Sequence, residues 1–148
     1  MHLKGETVVV FGAAGGIGSN IVEVLLGDGA QVAATDLESP ESNAHINRVC
    51  DVRNQDHIEE TVSQVEKELG PVSGSVFVAG VLHPATATEE LRVEDWERVH
   101  DTNVVGALRV AKTIVPQMKK RRYGRLVHIA SWWGYYGHAF FAPYGSSK

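Results

Sequence analysis

Cysteine is almost absent from this chain. Cys50 is the only one in 148 residues, so no intrachain disulfide can form, which suits a reducing cytoplasm. Its place in an apolar run marks it as a small buried hydrophobe rather than a nucleophile. Long apolar runs are missing too. No stretch approaches the roughly 18 apolar residues of a membrane span, and the charged Lys4 and Glu6, followed by only a short apolar run, do not resemble a secretory leader. There is no excess of positive charge. A formal net charge of −4 argues against the basic face of a general nucleic-acid binder, and the one basic run, Lys119-Lys120-Arg121-Arg122, reads as the end of a helix, where cations complement the helix dipole. The seven histidines show no paired ligand spacing, so no metal site is expected. The expectation is a soluble cytoplasmic protein that binds neither nucleic acid nor membrane. Its 43% hydrophobic and 22% charged residues are ordinary for a single globular domain.

Strand-like and helix-like segments alternate along the chain. Thr7–Phe11 is a short β-branched run that ends in glycines, as a buried parallel strand would. Gly16–Leu26 follows with apolar residues at helical spacing, and Gly29 stands where a helix stops. Gln31–Asp36 and Ile46–Val52 are the second and third strands, separated by the polar loop Leu37–Ala44, which contains Pro40. Asn54 then caps a helix with apolar residues at Ile58, Val62, Val65 and Leu69, ended by Gly70-Pro71. Ser75–Ala79 is the fourth strand and Leu126–Ala130 the fifth. Between them Val93–Met118 reads as one long helix or two consecutive ones, with a kink near Pro116. Such alternation predicts an α/β fold, a doubly wound parallel sheet with helices on both faces, in one domain over residues 1–148. Tyr144–Lys148 opens another helix, and five residues are too few to hold one alone. The sequence therefore reads as a fold cut after strand five at the start of a helix, with a C-terminal part outside these residues.

The glycine loop carries the first functional signal. Gly12-Ala13-Ala14-Gly15-Gly16-Ile17-Gly18 lies between the first strand and the first helix. Glycines there let the backbone turn and let a pyrophosphate approach, while the helix start offers free N–H groups and a positive dipole end. Asp36 ends the second strand, 18 residues after Gly18. A carboxylate there accepts hydrogen bonds from adenosine ribose hydroxyls and repels a 2′-phosphate, which favours NAD over NADP. No Lys or Arg within the loop or between Thr35 and Ala44 offsets that preference.

Glycines spaced GxxxGxG at Gly12, Gly16 and Gly18, Ser131 after the fifth strand, and Tyr144-x-x-x-Lys148 a further 13 residues on resemble the short-chain dehydrogenase/reductase family. The likeness runs from Leu3-Lys4-Gly5 to Lys148. It implies that Asp51 and Val52 meet the adenine, with a helix cap as the competing role for Asp51. Ala79-Gly80 matches two thirds of the family's Asn-Ala-Gly motif, Val78 standing in place of the Asn. The resemblance further implies hydride transfer between nicotinamide and a carbon bearing an alcohol or carbonyl. In it Tyr144 exchanges the proton, Lys148 supports the phenolate and holds the nicotinamide ribose, Ser131 orients the substrate, and Asn103 holds a water in a proton relay. An ammonium near a phenol favours the ionised form, and residues four apart on a helix share a face.

The loop 131–141 holds six Trp, Tyr or Phe among eleven residues. The resemblance puts it beside the reacting carbon, so Trp132 and Trp133 are candidate substrate contacts for a cyclic, aromatic or large apolar alcohol or ketone. Packing beneath the loop or in a subunit interface is the competing role for these rings. Residues 79–96 resemble bacterial dihydrodiol and 2,3-dihydro-2,3-dihydroxybenzoate dehydrogenases, and ketoacyl reductases share much of the pattern. The resemblance also implies a homodimer or homotetramer. A sugar-nucleotide epimerase fits less well, since GxxGxxG is usual there. A non-catalytic NAD-binding regulator or an inactive fragment is a further alternative, against which Ser131, Tyr144 and Lys148 all stand intact.

Overall fold

The computed structural model describes residues 2–148. Five strands, β1 (Thr7–Phe11), β2 (Gln31–Asp36), β3 (Ile46–Val49), β4 (Val72–Phe77) and β5 (Arg125–His128), form one sheet in the order β3-β2-β1-β4-β5. Every pairing is parallel. The chain therefore runs outward in one direction from β1 to β3 and returns to β1's other side with β4. Crevices that bind ligands open at such a reversal, beyond the carboxyl ends of the strands.

β1 is buried along its whole length because it is covered on both faces. Val9 and Phe11 point to one core, shared with Ile58, Val62 and Val65 of α2 (Gln55–Leu69) and with Val110, Ile114 and Met118 of α4 (Gly106–Arg121). Val8 and Val10 point to the other, against Val22, Ile21 and Leu25 of α1 (Gly16–Gly27). This alternation of faces along a strand is the two-residue period of a pleated chain. The doubly wound sheet is thus present. Asn54 caps α2 as anticipated, its Oδ1 accepting from the Asp56 and His57 amides.

Three strands differ from the sequence expectation. The third strand stops at Val49 and not Val52, because β2 ends at Asp36 and its carbonyl takes its last bond from the Cys50 amide. The fourth starts at Val72, three residues early, since Thr7 pairs with Val72 across a register shift before Gly74. The fifth is Arg125–His128 in place of Leu126–Ala130. The long segment is two helices, α3 (Val93–His100) and α4, joined without a break by a π-helical turn over Asp101–Val105, and α4 continues through Pro116. Two short helices follow β5: α5 (Trp132–Tyr135) forms inside the segment 131–143 that the sequence reads as a loop, where Ser131 caps it, and α6 (Ala142–Ser147) starts two residues before Tyr144, with Pro143 in its first turn. Among the described residues no helix is long and apolar enough to cross a membrane, and no group of three His, Cys, Asp or Glu side chains could hold a metal ion.

Candidate active site

The glycine loop leaves β1 by a sharp turn at Gly12, whose φ is +90°. A Cβ at Gly12 would run into the Ala79 backbone, and one at Gly18 into the Gly12 carbonyl. Those two glycines close the loop against the strand ends. Gly15 and Gly16 are different, because a Cβ at either meets nothing within 4 Å. They face open space at the start of α1, whose cap Gly15 brings no side chain to the free amides. An uncapped helix start walled by bare glycine backbone suits a phosphate group.

The cleft beyond the strand ends has a volume of about 340 Å³. It is lined by Gly12, Gly16, Ile17, Gly18, Asp36, Asp51, Val52, Ala79 and Gly80, the residues singled out from the sequence for the cofactor. Asp36 is held by two amides: Ala14 donates to Oδ2 at 2.9 Å and Leu37 to Oδ1 at 2.7 Å. The carboxylate is thereby fixed across from the loop, with lone pairs to spare for ribose hydroxyls.

Asp51 is not the helix cap, a role taken by Asn54. Arg53 grips it through Nε at 2.9 Å and Nη2 at 2.7 Å, and the Arg53 amide adds a third bond at 2.9 Å. These bonds hold the Asp51 carboxyl below its ordinary value. Arg53 and Arg98 also line the cleft, and sequence reasoning missed both. The spacing Asp51-x-Arg53 at a strand end carried the signal for the first. Nothing local in the sequence announced the second.

A second cluster adjoins the cleft at Gly80. A Cβ there would lie 3.1 Å from Lys148 Nζ and 3.4 Å from Asn103 Oδ1. Asn103 is buried in the π-helical turn. Its Oδ1 accepts from the Val81 amide at 2.8 Å, and its Nδ2 donates to the Val81 carbonyl at 3.1 Å and to Ser147 Oγ at 2.8 Å. One side chain therefore satisfies both backbone groups of the β4 loop and holds α6. Lys148 Nζ donates to the Ile129 carbonyl at 3.0 Å, and burial pulls its pKa below the ordinary lysine value.

Ser131 caps α5, its Oγ accepting from the Trp133 amide at 3.3 Å, so its own proton remains to be donated elsewhere. Tyr144 meets Trp133 edge to face, ring centroids 5.8 Å apart at 88°. Trp133 also packs on His138 and Phe141. Trp132 lies apart, 69% exposed, against Tyr135 and Tyr136. The two tryptophans named together from the sequence thus occupy different surroundings.

A parallel sheet with its reversal at β1, a glycine loop and a helix start on the crevice define a Rossmann-like nucleotide-binding domain. The chain matches the short chain dehydrogenase family over residues 6–148, and it belongs to that family. It is 30% identical to the 3-oxoacyl-(acyl-carrier-protein) reductase FabG of Thermotoga maritima, over 100% of this chain and 64% of that protein. It is 29% identical to the 2,3-dihydro-2,3-dihydroxybenzoate dehydrogenase of Bacillus subtilis, over 99% of this chain and 60% of that protein. An NADPH-dependent pterin aldehyde reductase of Arabidopsis thaliana is 30% identical over 97% of this chain and 63% of its own length. The crystal structure of gox2181 superposes with a TM-score of 0.91 at 24% identity, covering 99% of this chain and 62% of that one, a likeness of fold. The chain spans 60–64% of the length of these relatives.

Proposed function

We propose that the chain carries the cofactor site and the proton-transfer residues of an NAD(H)-dependent oxidoreductase that interconverts a secondary alcohol and a ketone, with a cyclic, aromatic or large apolar substrate. The observation that carries this reading is the position of Gly80. It lines the glycine-loop cleft and, lacking a side chain, leaves room for Lys148 and Asn103 directly behind it. Gly80 thus stands between the nucleotide cleft and the Lys148–Asn103 pair, which this reading takes as two parts of one site.

A nicotinamide dinucleotide bound in the cleft supplies the hydride acceptor or donor. Gly15, Gly16 and the amides opening α1 hold its phosphates, Asp36 its adenosine ribose, and Asp51 with Val52 its adenine. Tyr144 gives or takes the proton at the substrate oxygen. Lys148, an ammonium partly withdrawn from water, favours the phenolate by its charge and holds the nicotinamide ribose. Ser131 aims its free O–H at the same substrate oxygen, and Asn103 holds the relay that returns the proton to solvent. Trp133, packed on Tyr144, gives the substrate an aromatic wall, and Trp132 flanks the entrance. The choice of NAD over NADP rests on Asp36 and not on kinship.

A ketoacyl reductase is the second reading, favoured by the Thermotoga maritima relative. The same account takes the working protein as a cytoplasmic homodimer or homotetramer, in keeping with a single buried cysteine, and the domain of residues 1–148 as its cofactor half. Titration with NADH and NADPH, followed by nicotinamide fluorescence, tests the cofactor assignment. Tighter binding of NADH supports it, and tighter binding of NADPH, or no binding of either, overturns it. Screening cyclic and aromatic alcohols against ketoacyl thioesters then separates the two substrate classes.

A further inference from the structure

α6 carries both Tyr144 and Lys148, yet it is only six residues long and its first residue has no side-chain cap. So short a helix is not stable by itself. Its position must come from tertiary ties, and the catalytic geometry depends on them.

Two ties reach adjacent residues of α6 from one continuous helical segment. Asn103 Nδ2 donates to Ser147 Oγ at 2.8 Å. Three residues earlier, His100 Nε2 lies 3.2 Å from Ser146 Oγ. Residues three apart share a helix face, so both side chains reach the same partner. Ser147 also donates to the Tyr144 carbonyl at 2.8 Å, and Ser146 bonds the Ala142 carbonyl at 2.8 Å.

The His100 ring is itself held on two sides. Nδ1 lies 3.0 Å from the Trp96 carbonyl, so that nitrogen donates. The ring stacks on Trp96 with centroids 4.5 Å apart at 18°. With Nδ1 donating, Nε2 of the neutral ring is an acceptor, and the single Ser146 hydroxyl proton bonds either it or the Ala142 carbonyl. With a proton on both ring nitrogens Nε2 donates to Ser146 Oγ, and the Ser146 hydroxyl donates its hydrogen bond to the Ala142 carbonyl. The link is available in either protonation state.

We infer that His100 is a positioning residue for the catalytic helix: through Ser146 it fixes the rotation of α6, and with it the places of Tyr144 and Lys148. Lys148 also reaches the Ile129 carbonyl through its long side chain and Tyr144 packs on Trp133, but both contacts are made by side-chain ends, so with the Asn103 tie alone the middle of the helix is free to pivot. Two ties to adjacent residues, about 100° apart around the axis, stop it. Ser146 stands two residues from Tyr144 and two from Lys148, so a pivot there displaces both. For its catalytic consequence the inference rests on the dehydrogenase reading above. The tether itself does not.

The test uses the natural full-length protein with His100→Ala, His100→Gln, Ser146→Ala and the double alanine variant. Each single alanine variant lowers kcat by about tenfold, as misplaced catalytic groups do, with KM for NAD little changed. The acid limb of the kcat pH profile moves to higher pH, because the proton-transfer group loses support from a displaced ammonium. The double variant falls no further than either single one, since both remove the same link. Gln, which still reaches Ser146 with an amide, restores part of the loss. Additive losses, an unmoved pH profile, or no rescue by Gln would overturn the inference. If the unaltered protein turns over no alcohol or ketone, the dehydrogenase reading fails separately. Amide exchange over residues 144–148 then decides the tether: faster exchange in His100→Ala upholds it, and unchanged exchange overturns it.

Discussion

Lys148 Nζ donates a 3.0 Å hydrogen bond to the Ile129 carbonyl at the end of the sheet, and that contact holds an ammonium where it is half-withdrawn from water. Burial depresses its pKa below the ordinary lysine value. The unfolded chain therefore binds this proton more readily than the folded one. Across the window between the depressed and the ordinary value, stability rises with pH. Lys148→Met removes that contribution. The melting temperature of the unaltered protein relative to the Met variant should rise between pH 7 and pH values of about 10.5, while turnover at pH 7 falls by about a hundredfold or more. Calorimetric scans at the two pH values check the first part. An unchanged difference would show that the ammonium is not penalised by the fold.

Two glycines of the same loop should respond oppositely to alanine. A Cβ at Gly18 collides with the Gly12 carbonyl and comes within 2.8 Å of Ala13 Cα, both backbone atoms that cannot swing aside. Gly18→Ala should cost about 3 kcal/mol or more, as overpacking against rigid groups does. Gly15 has φ −75° and open space around it. Gly15→Ala should melt normally but bind NADH more weakly, because its methyl occupies the phosphate approach. Denaturant midpoints beside NADH affinities check the pair, and equal destabilisation would remove the distinction between closing and cradling glycines.

Much of this fold is legible in the sequence, for local reasons. The continuous apolar runs and the turn glycines place β1, β2 and α1 where they are found, because strand burial and helix starts are written into neighbouring residues. The ends of β3 and β4 are not legible. Each is set by its partner in the ladder: Asp36 ends β2 opposite Val49, and Thr7 draws Val72 into the sheet. The π-helical turn at Asp101–Val105 is hidden for a similar reason, since the bonds of Asn103 to Val81 span 22 residues of sequence. Glycine spacing and the Ser131, Tyr144 and Lys148 positions point to the site. The grip of Arg53 on Asp51 and the edge contact of Trp133 with Tyr144 emerge only once the chain is folded.

Asp36 offers the clearest handle on cofactor choice. Its carboxylate is fixed by the Ala14 and Leu37 amides, so it cannot turn away from a 2′-phosphate. Replacing Asp36 with Ala and Leu37 with Arg removes the repulsion and adds a partner for that phosphate. The ratio of kcat/KM for NADP to that for NAD should rise by about a hundredfold, of which roughly half in free energy comes from losing the carboxylate. An unmoved ratio would relieve Asp36 of its role.

Cys50 should be chemically silent. It is 2% exposed, and burial pushes its thiol above the ordinary cysteine value, so little thiolate forms near neutral pH. Iodoacetamide at pH 8 should leave the folded protein unmodified and label it once in urea, as read by intact mass. Rapid labelling of the folded form would mean that the region after β3 opens readily.

The central claim is that Tyr144 moves the proton in a site whose cofactor binding is built from other residues. Tyr144→Phe, in the natural full-length protein, tests it most directly when NADH affinity and turnover are measured on the same preparation. The account predicts NADH affinity within about twofold of the unaltered protein and turnover lowered by at least about a hundredfold. Undiminished turnover, or loss of NADH binding together with turnover, would contradict it.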